Sequence, residues 1–202
     1  MLNFFEKRIP HNGMTYVEYI SSVEQKLEST NYKSLSYEER LEYDKLKLNL
    51  ARSRRIQKTY EVSDELINLV NKIKSPQLWM VLTETWCGDS AQNLPHIAKF
   101  AEINPKIDLR IILRDENLEI MDLYLTEGTR SIPKLIAFNE NGNELFKWGA
   151  RPKKAEELVN ELKSRGLSKV DYIEKLHLWY AKDRGKELEK EFVQILRELF
   201  SL

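Results

Sequence analysis

The chain of 202 residues is 42% hydrophobic and 32% charged, and its 32 Lys+Arg balance 32 Asp+Glu. That length holds one decorated domain or two small ones, with a core large enough to need no disulfide staples. Balanced charge argues against a whole-chain grip on nucleic acid or an anionic membrane, one cysteine excludes an intrachain disulfide or a multi-cysteine zinc site, and no apolar run reaches the ~18 residues of a membrane span.

The N-terminal stretch from Met1 to Arg8 carries charge where a signal peptide has its apolar centre, so a cytoplasmic protein is expected. Tyr16, Ile20, Val23 and Leu27 recur at helical steps. Thr30 to Lys33 read as a link to a second helix, opened by the capping box Ser36/Glu39 and carrying Leu41, Leu48 and Ile56. The cluster Arg52, Arg54, Arg55 reads as a solvated helix end. Ser63 caps a further helix with Leu66, Ile67, Val70 and Ile73 on its face, stopping at Ser75-Pro76.

From there the texture changes. Leu78 to Thr83 is a short continuous apolar run, the pattern of a buried strand. A helix from about Ser90 to Asn104 follows, with Pro95 near its start, and Leu109 to Leu113 is the next strand. Asn117 to Glu127 reads as a short helix and Leu135 to Phe138 as a strand. Asn141-Gly142 turns the chain into a returning strand, Leu145 to Trp148, and Pro152 starts a helix through Leu162. Strands alternating with helices give an α/β layer fold with a mixed sheet. The tail is helical again, with Val170, Ile173, Leu176 and Tyr180 on one face and Leu188, Phe192, Ile195, Leu196 and Leu199 on another. The expected organisation is a helical extension over 1–60, an α/β domain over 61–165, and a helical extension over 166–202 packed on it.

The only cysteine lies in Thr85-Trp86-Cys87-Gly88-Asp89-Ser90, after the first strand and at the start of a helix. Unpaired amides and the helix dipole stabilise a thiolate there. The stretch resembles a thioredoxin active site, Trp-Cys-Gly-x-x, with Ser90 where that family usually has its second cysteine. Pro95 resembles its kinking proline, Ser131-Ile132-Pro133 its cis-proline loop, and Phe146-Lys147-Trp148-Gly149-Ala150 the strand and glycine turn before its last helix. The resemblance covers Ser63 to Arg165 and implies a three-layer α/β/α thioredoxin-like core with extra helices at both ends.

It also implies roles. Cys87 is the expected nucleophile and Ser90 its hydrogen-bonding partner. Trp86, Gly88, Asp89, Ile132 and Pro133 are the expected substrate-binding residues, with the backbone of Ile132 open to an extended segment. Ser90 cannot resolve a mixed disulfide, so an external thiol must, and the partner is a disulfide-containing protein or a small thiol. Val81 stands where the family commonly has a buried aspartate, a loss consistent with the missing resolving cysteine. Asp89 and Glu84 raise the thiol pKa against the helix terminus, while Lys134 and Arg151 supply compensating charge or contact an anionic ligand.

Other residues carry less. His11, His96 and His177 have no metal-site spacing, and His96 reads as a surface or packing residue. Arg114 to Asn117 sits at a strand's C-terminal edge, where either a turn or a groove-lining role fits. No cofactor or metal is expected. The competing function is a redox-inactive thioredoxin-fold binding or adaptor module. A monothiol glutaredoxin is a third reading, but its Gly-Gly and basic pattern after the cis-proline strand is not evident.

Overall fold

The computed structural model describes residues 13–202. The charged N-terminal stretch and His11 lie outside the described residues. Helices α1 (Tyr16–Ser29), α2 (Tyr37–Thr59) and α3 (Asp64–Val70) precede strand β1 (Gln77–Thr83). Then come α4 (Gly88–Glu102), β2 (Ile107–Leu113), α5 (Leu118–Met121), β3 (Lys134–Asn139), β4 (Glu144–Trp148), α6 (Lys153–Ser164), α7 (Lys169–Asp183) and α8 (Lys186–Leu199). The sheet order is β2-β1-β3-β4, with β1 parallel to β2 and the other two pairs antiparallel. This mixed sheet with helices around it is the thioredoxin-like α/β arrangement, and no helix among the described residues is long and apolar enough to cross a membrane.

Alternation along β1 divides the core. Trp79 and Val81 point into a cluster with α1, α3, α4 and α8, whereas Leu78, Met80 and Leu82 join Ile120, Met121, Tyr124 and Ile132 on the other face. Cys87 belongs to the second cluster. Backbone pairing of Met14 with Ile111, at 2.8 Å in both directions, covers the outer edge of β2.

Several sequence expectations are corrected. Leu41 and Leu48 of α2 are exposed, and the buried face is Leu46, Leu50 and Ile56. Here α2 packs on α1 from one side and on α4 from the other, which rotates the apolar stripe. Helix α3 ends at Val70 because the Asn104 side chain takes the carbonyls of Val70 and Ile73 at 2.8 and 3.0 Å, stopping the ladder well before Pro76. The helix expected over 117–127 is one turn, Leu118–Met121. Beyond it Thr126 and Thr129 exchange backbone hydrogen bonds at 2.9 Å around Glu127-Gly128, both at positive φ, and Leu123 and Leu125 face solvent. Val170 is exposed, leaving Leu176 and Tyr180 to bury α7.

Candidate active site

Helix α4 starts directly at the cysteine. Cys87 is its N-cap, and its sulfur accepts the Ser90 N–H at 3.5 Å. Pro95 lacks an N–H, so the Ala91 carbonyl one turn earlier is free, and Ser53 of α2 donates to it at 3.3 Å. Asn49 of the same helix donates to the Thr85 carbonyl at 3.2 Å. Helix α2 thus holds both the loop before Cys87 and the first turns of α4 after it.

Helix α7 and the turn before α6 hold Asp89. Tyr180 of α7 donates to the Asp89 carboxylate at 2.7 Å and accepts from Asn93 at 3.0 Å. Arg151 pairs with the same carboxylate at 2.9 Å and also with Glu156. Gly88 is required by close approach, because a Cβ there would fall 2.9 Å from the His177 ring and displace it. The Gln92 side-chain amide donates to His177 Nδ1 at 3.3 Å, which leaves the proton of the neutral ring on Nε2. Burial and the Arg52 charge lower the His177 pKa to about 4.

Cys87 is 8% exposed, and its thiol donates to the Ile132 carbonyl at 3.4 Å. The Ile132–Pro133 peptide bond is cis. Pro133 is buried behind Ile132, and its carbonyl oxygen lies so close beneath Gly149 that a Cβ there would meet it at 2.1 Å. Beneath the sulfur, Thr83 donates to the Ser90 hydroxyl at 2.6 Å, which leaves the Ser90 hydrogen for the Cys87 sulfur. Tyr19 of α1 in turn hydrogen-bonds Thr83. Burial pushes the Cys87 thiol above its ordinary pKa, and the Asp89 charge adds to this. The Ser90 hydroxyl and the amides of Ser90 and Asp89 oppose it.

Of the residues singled out from sequence, Trp86, Cys87, Gly88, Asp89 and Ile132 line one cleft of about 800 Å³. Ser90 and Pro133 lie behind it, both buried. Trp86 is 41% exposed, with the Arg114 guanidinium 5.0 Å and the Lys45 ammonium 5.5 Å from its ring centre. Lys134 is directed away, to the Thr126 hydroxyl at 3.1 Å, so the charge expected from it at the thiol is absent. Glu84 accepts the Asp115 amide at 2.8 Å, while its carbonyl takes the Cys87 N–H at 3.1 Å. Residues 114–116 form the expected turn, ahead of Asn117 at the start of α5, and Arg114 also lines the cleft. His96 is a buried packing residue, not a surface one. Sequence reasoning missed Asn49, Arg52, Ser53 and His177. Each comes from a helix outside the motif-bearing segment; the sequence marks Arg52 only as part of a solvated helix end, where it is in fact half-buried in the cleft, and His177 only as a histidine without metal-site spacing. No group of three or more metal-ligating side chains occurs among the described residues.

Over 93% of each chain, the protein is similar to a structure of a protein of unknown function from Pseudomonas aeruginosa, at 16% identity and a TM-score of 0.62. An HIV epitope-scaffold matches at 18% identity and a TM-score of 0.58, covering 93% of this chain and 94% of its own. Such coverage extends the likeness in fold to helices outside the α/β core. None of the curated proteins matches the chain. A family model described as thioredoxin matches residues 34–163, more than half of the sequence, and with the cysteine at the start of α4 facing the loop before β3, the chain belongs to the thioredoxin family.

Proposed function

We propose that the protein carries out thiol–disulfide exchange with a single cysteine. The observation that carries this reading is the Cys87 sulfur, which opens onto the cleft from the first turn of α4 with the Ser90 amide and hydroxyl as hydrogen-bond partners. Cys87 loses its proton to solvent, and the thiolate attacks one sulfur of a disulfide R–S–S–R. A Cys87–S–S–R bond forms, and R–S⁻ leaves. With Ser90 in the resolving position, the second step belongs to an external thiolate R′–S⁻, which attacks the R sulfur, forms R–S–S–R′ and expels the Cys87 thiolate. Burial that raises the thiol pKa also makes Cys87 a poorer leaving group, so the mixed disulfide is the long-lived species. We place this chemistry in the cytoplasm, where external thiols are abundant.

The test is mass spectrometry of the folded protein after incubation with the neutral 2-hydroxyethyl disulfide. One adduct per chain is expected, absent in Cys87→Ser and removed by excess thiol. If no adduct forms until the protein is unfolded, the exchange reading fails. The buried, protonated thiol favours a second reading, a binding module whose cleft holds a partner without turnover, and that outcome would select it.

A further inference from the structure

The two helical extensions change what can reach the sulfur. Asn49 and Arg52 of α2 and Leu176 and His177 of α7 line the same cleft as Cys87, and Arg52 and His177 both approach Gly88. Cys87 is therefore a buried lining residue of a cleft that both helices help to form. The cleft volume, about 800 Å³, is within the range of small-molecule sites.

The walls are also charged in one sense. Six Lys and Arg residues line the cleft against two carboxylates, Asp44 and Asp89, in a chain whose total charge is balanced. Arg114, Arg130 and Arg151 have carboxylate partners. Lys45, Arg52 and Lys169 form no ion pair among the described residues. Arg52 is the informative one. It is half-buried, its only side-chain hydrogen bond among the described residues is to the Asn49 amide oxygen at 3.1 Å, and its guanidinium lies 3.9 Å from where a Gly88 Cβ would be. A partly desolvated cation without a counter-charge is costly unless something anionic completes it. The uncharged His177 ring beside it supplies no compensating negative charge.

We propose that the substrate of the Cys87 cleft is a low-molecular-weight disulfide carrying negative charge, held by Arg52 and Lys169 while Cys87 exchanges with it. This rests on the exchange reading above. The step is the one already written: Cys87 takes one half of the anionic disulfide and the other half leaves as its thiolate.

Three disulfides of similar size separate the possibilities: anionic 2,2′-dithiodiacetate, neutral 2-hydroxyethyl disulfide and cationic cystamine. The rate of adduct formation at Cys87 is measured for each by mass spectrometry and divided by the rate for the protein unfolded in urea, which removes the intrinsic reactivity of each reagent. The expected order is anionic above neutral above cationic, with about a tenfold advantage of the first over the second. Arg52→Gln and Lys169→Gln should each lower the anionic-to-neutral ratio severalfold, with folding of each variant checked by circular dichroism. In the unmodified protein, raising ionic strength from about 0.01 M to about 1 M should collapse the same ratio. Equal normalised rates, or cystamine fastest, would overturn the proposal while leaving single-cysteine exchange in place. Adducts with none of the three in the folded protein would overturn both.

Discussion

At the scale of single residues, the chemistry turns on what surrounds one sulfur. Desolvation raises the Cys87 pKa and Asp89 adds to it, whereas the Ser90 hydroxyl and the first amides of α4 lower it. These opposing contributions give two variants of opposite sign. Ser90→Ala removes a donor to the thiolate, so the pH profile of Cys87 alkylation should move to higher pH and the rate at neutral pH should fall. Asp89→Asn removes the negative charge and keeps an acceptor for Tyr180, so the profile should move to lower pH and the neutral rate should rise. Iodoacetamide labelling across pH reads both, and shifts in the same direction would refute this account of the site. The motif Trp86-Cys87-Gly88 was legible in the sequence because it is contiguous. The partners that fix Asp89 were not, since Arg151 and Tyr180 lie 62 and 91 residues further along the chain. Likewise the strict glycine at position 149 follows from the Pro133 carbonyl beneath it and not from local pattern. Gly149→Ala is expected to destabilise the protein by at least about 2 kcal/mol in urea unfolding, because φ is +120° and the added carbon has no room.

At the scale of elements, α4 is the beam on which both extensions rest. Its His96 shows how tightly. The ring is 4% exposed, donates to the Gln92 carbonyl at 2.9 Å, and stacks edge-on against Tyr60 with centroids 4.3 Å apart. Burial lowers its pKa from 6.5 to about 4. The unfolded chain binds a proton that the folded protein does not, so stability is full above about pH 6.5 and is lost as pH falls toward 4. A shift of that size corresponds to about 3 kcal/mol. His96→Gln should therefore flatten the dependence of unfolding free energy on pH across that window, whatever its effect at pH 7. An unchanged slope would show that His96 titrates normally in the folded state. Strands and long helices of the core were readable from periodicity. The ends of α3 and α5 were not, because they are set by the Asn104 side chain and by the Thr126–Thr129 turn.

At the scale of the whole molecule, the terminal helices share the central core. Leu188, Phe192 and Leu196 of α8 are fully buried in the cluster that contains Trp79, Phe100, Leu135 and Trp148. Phe192 lies with its ring centre 5.0 Å from Phe100, 5.8 Å from Trp79 and 6.0 Å from Trp148, and the Trp148 indole donates to Glu191 at 2.6 Å. Tyr16 and Tyr19 of α1 enter the same cluster from the other end of the chain. The amphipathic pattern of α8 was plain in the sequence, but a pattern names a face and not the surface it covers. That surface is built by residues more than 40 positions away. We expect the extensions and the α/β core to unfold in one cooperative transition, because neither can leave without exposing the aromatic cluster to water. Far-ultraviolet circular dichroism reports mostly on the helices, and fluorescence is dominated by tryptophans that include the buried Trp79 and Trp148, so their urea curves should coincide. Phe192→Ala should move both curves together by about 3–5 kcal/mol, the cost of emptying a filled aromatic site. If the helical signal melts first and tryptophan fluorescence holds, the extensions are separable units resting on an independent core. The cleft walls would then open without unfolding the fold that carries Cys87.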